Sequence, residues 1–390
     1  MIKISKVVDN MPPSGIRAFF DLVLGMKDVV SLGVGEPDFV TPWNIREAGI
    51  YSLEQGYTSY TSNKGLAELR REIAAYHKNR YGLDYDPEEE ILITVGVSEA
   101  VDLAFRALID PGDEIIVPEP YYVSYNALPE LCGGKARLIK THPDKGFKIS
   151  AKDIRQNCGK RTKAILLNYP NNPTGASYSR DQLMEISKEV ERQGLVVLSD
   201  EIYGDLTYDY EHVPFATLPK MKDRTVYLNG FSKGFAMTGW RIGYVCGPAN
   251  IIAAMTKIHQ YTIMCVPITS QMAAREALKG GERALQEMKR EYRRRREFVI
   301  ARLNEIGLAC HKPEGAFYAF PSIKETGISS MEFSKRLLAK EKVAVVPGTA
   351  FGALGEGYIR ISYASSMDKL KEALVRMERF LLTTNRRAAR

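Results

Sequence analysis

The sequence predicts an α/β protein: a large domain on a mostly parallel sheet covered by helices, joined to a smaller α+β domain. Three observations predict it. First, runs that are apolar on both faces recur through the middle of the chain: Glu114-Ile-Ile-Val-Pro, Lys163-Ala-Ile-Leu-Leu-Asn, Leu195-Val-Val-Leu-Ser and Thr225-Val-Tyr-Leu-Asn. Strands read this way when helices cover both faces of a parallel sheet. Second, segments of helical length and period, such as 179–193, lie between them. Third, the pattern changes near residue 282, where a long charged helix begins.

In chain order, Leu66, Leu69, Ile73 and Tyr76 recur at helical spacing and predict a helix with one apolar stripe. Ala100 to Leu108 predicts another, stopped by the turn signal Asp110-Pro-Gly-Asp. The four strands and their intervening helices follow. After residue 282 come Ala316-Phe-Tyr-Ala-Phe, Val343-Ala-Val-Val-Pro, a Gly-rich loop, Tyr358-Ile-Arg-Ile-Ser-Tyr and a final helix. The expected division is 45–281 for the large domain, with 1–44 and 282–390 forming the small one. A length of 390 residues agrees with two domains.

Composition narrows the classes of function. No run approaches the ~20 apolar residues of a membrane-spanning helix, and the first residues lack the layout of a signal peptide. The five cysteines are scattered, odd in number and without a C-x-x-C pair, which points to reduced thiols in the cytoplasm rather than zinc or disulfides. The five histidines show no ligand spacing, so no metal is expected. The net charge of +7 owes much to Arg293–Arg296 and the C-terminal tail. Glu291 and Glu297 flank the arginine run, which reads as a solvated helix face rather than a nucleic-acid patch.

Ligands of open α/β sheets sit at the carboxyl ends of the strands. Those ends carry Ser98, Asn172, Asp200 and Ser232-Lys233: a helix start suited to phosphate, an amide, a carboxylate and an amine. Read singly, each has an ordinary explanation. Asp200 suits a helix N-cap, Asn172 a turn, Tyr203 and Tyr122 packing, Lys233 the surface, and Arg360 a surface ion pair.

The surrounding motifs change that reading. Asn229-Gly-Phe-Ser-Lys-Gly-Phe-Ala-Met-Thr-Gly-Trp-Arg-Ile-Gly-Tyr resembles the lysine signature of class I aminotransferases, the aspartate-aminotransferase-like members of pyridoxal-phosphate (PLP) fold type I. Leu32-Gly-Val-Gly-Glu-Pro-Asp-Phe, Tyr60-Thr-Ser-Asn-Lys-Gly-Leu, Asn168-Tyr-Pro-Asn-Asn-Pro-Thr-Gly, Ser199-Asp-Glu-Ile-Tyr, Glu314-Gly-Ala-Phe-Tyr and Tyr358-Ile-Arg-Ile-Ser-Tyr follow in the family's order. The resemblance spans residues 12 to 380 and implies a seven-stranded type of sheet.

It further implies transfer of an amino group from an L-amino acid to a 2-oxo acid, 2-oxoglutarate above all, through a PLP Schiff base on Lys233. The donor would be aspartate-, aromatic- or N-acetyl-diaminopimelate-like. By the same resemblance Asp200 pairs with the pyridine nitrogen, Asn172 and Tyr203 donate to the phenolate oxygen, and Tyr122 (or its neighbour Tyr121) stacks on the ring. Val97, Ser98, Ser232 and Arg241 hold the phosphate, while Arg360 and the Gly35 N–H hold the substrate carboxylate. Tyr60 reaches a partner subunit's phosphate, which implies a homodimer with shared sites. Arg17 approaches the substrate side chain or lies on the surface. Many families of this type place a hydroxyl residue three positions before the lysine; here Gly230 stands there. Two other readings share these motifs: a PLP-dependent C–S lyase, and a PLP-binding regulator, for which the stretch before Val29 is too short to hold a DNA-binding domain.

Overall fold

A computed structural model of the chain describes residues 2–13, 15–16 and 26–388. Arg17 lies outside them. A seven-stranded sheet forms the centre, with spatial order β2-β8-β7-β6-β5-β3-β4. Its strands are β2 (Ile91–Thr94), β3 (Glu114–Glu119), β4 (Lys135–Lys140), β5 (Thr162–Asn168), β6 (Val196–Asp200), β7 (Thr225–Gly230) and β8 (Gly243–Cys246). β4, β3, β5, β6 and β7 pair in parallel, and β8 runs antiparallel to both β7 and β2.

The doubly apolar runs have the expected cause. Successive residues of a strand point to opposite faces, and here both faces are covered. Ala164 and Leu166 of β5 join the core under helix Gly96–Leu108, whereas Ile165 and Leu167 join the core under helix Arg180–Gln193. Edge strand β4 was not legible, because Lys135, Arg137 and Lys140 break its apolar run. Such charges suit an edge, where they oppose pairing with another chain.

Two smaller sheets hold the C-terminal strands. β11 (Val346–Pro347), β12 (Ile359–Ser362) and β9 (Tyr318–Ala319) form an antiparallel set. β1 (Val30–Ser31) pairs in parallel with β10 (Val343–Ala344), which fastens the early chain to the late one. Among the described residues, no helix is long and apolar enough to cross a membrane.

Two expectations need correction. The helix over Leu66–Tyr76 spans Ala67–Tyr81, and its buried stripe runs through Leu69, Ile73 and His77 rather than Tyr76. His77 is held among Tyr81, Tyr85, Tyr227 and Tyr244, and burial lowers its pKa to about 3, so the ring packs as a neutral group. Nor is Arg293–Arg296 one solvated face. Four consecutive helical residues sweep about 300° around the axis, so helix Glu282–Glu305 must bury some of them. Arg293 and Arg294 are exposed at 57% and 65%, but Arg295 and Arg296 at only 6% and 0%. Arg295 pairs with Asp38 and Glu291, and Arg296 with Asp209 and Glu297.

Candidate active site

The strand ends converge on a cavity of about 540 Å³, within the usual size range of small-molecule sites. Lys233, Asp200, Asn172, Tyr203, Tyr122, Val97, Ser98, Ser232, Arg241, Gly35 and Arg360 all line it. Tyr121 does not: it is buried, bonded through its N–H to Phe351 O, and faces a separate small cavity. Tyr60 is 83% exposed and does not line the chain's own cavity.

Asp200 ends β6 on the side of Leu198, facing helix Gly96–Leu108. Its carboxylate accepts hydrogen bonds from Tyr125 Oη at 2.6 Å and the Ile202 N–H at 3.2 Å. Burial pushes its pKa up to about 6, although the Tyr125 bond opposes the rise. The acid is therefore ionised at neutral pH yet ready to share a proton with a basic ring nitrogen.

Lys233 lies in the turn after β7, and its Nζ donates to Gly35 O at 2.6 Å. Burial, then the charge of Arg360, lowers its pKa to about 8; Arg241 adds to the fall and Glu36 opposes it. A free amine is thus accessible near neutral pH, as a carbonyl-attacking lysine requires.

The opposite wall belongs to β12. Arg360 donates through Nη1 to Asn172 Oδ1 at 2.9 Å and through Nη2 to Gly33 O at 2.6 Å. Its plane lies 4.5 Å from the Tyr318 ring centroid. Its buried Nε has no partner among the described residues, a donor that a carboxylate would satisfy. Asn172 uses its side-chain oxygen on Arg360 and its backbone N–H on Asn168 Oδ1, which leaves the amide N–H₂ free for the cavity.

The remaining end suits an anion. Helix Gly96–Leu108 opens there, and the first N–H groups of a helix lack partners within it. Arg241, with φ +52, brings its guanidinium over the helix start: a Cβ on Gly96 would sit 2.9 Å from Arg241 Nη2. Gly230 explains the departure from the family pattern. Any Cβ there would lie 2.9 Å from Gly243 Cα and 3.0 Å from Ile242 O, so no hydroxyl side chain fits without displacing β8.

Among the lining residues that escaped the sequence reading, three hold the site together. Tyr125 holds Asp200, and its position one helical turn after Tyr122 was the available signal. Tyr318 shares a 2.8 Å hydrogen bond with Tyr203 and occupies the space that a Gly35 side chain would need. Asn168 bridges Asp200 O and the Asn172 N–H. Both Tyr318 and Asn168 stand inside motifs quoted above, but neither identity announces chemistry until the strands are assembled.

Amine, buried acid, anion cradle and unpaired guanidinium N–H together fit PLP, and the fold with this site defines a PLP-dependent enzyme of fold type I. The comparisons agree. The family model for aminotransferase class I and II matches residues 27–377, and the chain belongs to that family. A Bacillus subtilis protein named as an aminotransferase, YugH, is 56% identical, covering 98% of this chain and 99% of that protein. Aspartate aminotransferase of Pyrococcus abyssi is 45% identical, covering 96% and 97%. The crystal structure of the aromatic aminotransferase from Pyrococcus horikoshii superposes with a TM-score of 0.90 at 43% identity, covering 95% of this chain and 99% of that one. The protein is an aminotransferase that uses PLP.

Proposed function

We propose that this aminotransferase carries amino groups from an aspartate-, aromatic- or N-acetyl-diaminopimelate-like L-amino acid to 2-oxoglutarate, with Lys233 as its catalytic base. The observation that carries the reading is the part-buried Lys233 amine, its pKa lowered to about 8 by desolvation and by Arg360, in a cavity that also holds Asp200.

When bound, PLP supplies an electron sink for the bond broken at the substrate's α-carbon. Asp200 keeps a proton on the ring nitrogen. Asn172 and Tyr203 donate to the phenolate oxygen, and Tyr122 covers one face of the ring. The N–H groups of Val97 and Ser98, the hydroxyls of Ser98 and Ser232, and Arg241 hold the phosphate. Arg360 forks the substrate's α-carboxylate together with the Gly35 N–H, which turns the α-hydrogen toward Lys233. Lys233 would take that proton and later give it back, acting as base and then acid.

The domains divide as 45–281 against 1–44 with 282–390, which the β1–β10 pairing supports. The chain acts in the cytoplasm as a homodimer in which the partner's Tyr60 completes the phosphate site. Exposed Trp43, Tyr51, Leu53, Tyr57 and Tyr60 support a buried interface, as does Tyr261 beside them, where Asn63 bonds to Met264 O. Monomers with full activity in sedimentation and assay would remove the dimer.

A panel of amino donors against 2-oxoglutarate, read as kcat/KM, tests the reaction. Lys233→Ala should lose nearly all turnover. Release of pyruvate and ammonia from cystathionine, without amino transfer, would overturn the assignment.

A further inference from the structure

Behind the cavity floor lies a second buried polar cluster that the mechanism does not use. Side chains alternate across a strand, so Asp200 faces the cavity while Ser199 and Glu201 face the opposite core, the one holding Tyr169 and Phe215. Glu201 is wholly buried. Its carboxylate accepts from Tyr169 Oη at 3.1 Å, Ser199 Oγ at 2.6 Å and the Phe215 N–H at 3.0 Å, and His212 Nε2 lies against its other oxygen.

These partners come from segments that carry the site. Tyr169 opens the loop that bears Asn172, and its N–H donates to Asp200 O at 3.2 Å. The Glu201 carbonyl accepts from the Gly204 N–H at 2.8 Å and closes the turn that bears Tyr203. The His212 ring supports that turn from below: a Cβ on Gly204 would sit 2.9 Å from His212 Cδ2. It also lies 5.3 Å from the Tyr169 ring. All three donate to the same oxygen, Oε1, and a carboxylate only accepts. An amide at position 201 would keep these three only with its N–H₂ held against His212 Nε2, in place of the acceptor Oε2.

We propose that Glu201 is a positioning residue, whose carboxylate locks the strand-end segments bearing Asp200, Asn172 and Tyr203 into one arrangement against the cofactor. The proposal rests on the reading of those three residues given above. Burial of a second carboxylate beside Asp200 also helps to raise the Asp200 pKa.

Glu201→Gln and Tyr169→Phe test it. Four quantities would be measured: PLP affinity of the cofactor-free protein by equilibrium dialysis, the pH midpoint of the visible band of the lysine-linked cofactor, kcat against KM, and melting of the cofactor-free protein. Glu201→Gln should weaken PLP binding roughly tenfold or more, as lost outer-shell bonds do. It should also move the spectral midpoint and lower kcat with little change in KM. Tyr169→Phe removes one donor and should shift the same quantities in the same directions by less, and it decides the matter if Glu201→Gln does not fold. A fall in melting temperature alone, with PLP affinity, midpoint and kcat at parental values, would reduce the cluster to packing and overturn the proposal. Failure of the parent protein to take up PLP would instead sink the reading of the site itself.

Discussion

Replacing Arg360 by lysine separates geometry from charge at the substrate carboxylate. The charge that lowers the Lys233 pKa stays, but the planar fork goes. Arg360 spends Nη1 on Asn172 and Nη2 on Gly33 O, and its Nε is unpaired. A single ammonium cannot serve both acceptors and an incoming carboxylate in those directions. A hydrogen bond to a charged group contributes about 1.5–3 kcal/mol, and the substitution forfeits about one of them. The expected loss is about 1.5–3 kcal/mol, or roughly 10- to 150-fold in kcat/KM. The assay compares an amino acid with the amine left when its α-carboxylate is removed, following cofactor conversion by absorbance in single turnover. The variant should lose rate on the amino acid by that factor and keep its rate on the amine. An unchanged ratio between the two substrates would show that Arg360 does not bind the carboxylate.

Two further outcomes are expected. In the cofactor-free protein, burial and Arg360 hold the Lys233 pKa at about 8, so the neutral amine should accumulate as pH rises through about 8 rather than the ~10.4 of a free lysine. Reductive methylation at a series of pH values, read by mass spectrometry of the Lys233 peptide, measures this, and a midpoint of 10 or above contradicts it. Gly230→Ser, although it restores the hydroxyl common in related enzymes, should destabilise the fold by about 1–3 kcal/mol by overpacking against Gly243 and Ile242. Denaturant unfolding checks this, and a variant as stable as the parent with tighter PLP binding would refute the packing argument.

Strands β3, β5, β6 and β7 of the central sheet were legible because they are apolar on both faces and bounded by turn signals. Strand β4 was not, since an exposed edge favours charge over hydrophobicity. The arginine run misled because flanking acids look alike whether a helix face meets solvent or buries ion pairs; only the partners Asp38 and Asp209, far away in sequence, distinguish the two. The site was legible where chemistry sits inside a long ordered motif, as at Lys233, Asp200, Asn172 and Arg360. Tyr125 and Tyr318 are ordinary core aromatics by composition, and their value arises from what they touch. Gly230, an exception to the family pattern in sequence, is a steric requirement once β7 and β8 lie side by side.

The pairing of Val30–Ser31 with Val343–Ala344 has a bearing on how the protein matures. Lys233 and Arg360 find their carbonyl acceptors at Gly35 and Gly33, on the short stretch that this pairing tethers. During synthesis that stretch emerges long before its tether. The central sheet can assemble while translation continues, but the pocket closes only after Val343–Ala344 and Arg360 have left the ribosome, across one of the longest loop closures the topology demands. Catalytic competence is therefore a late event, and a nascent chain stalled before residue 343 would hold a formed sheet without a working enzyme.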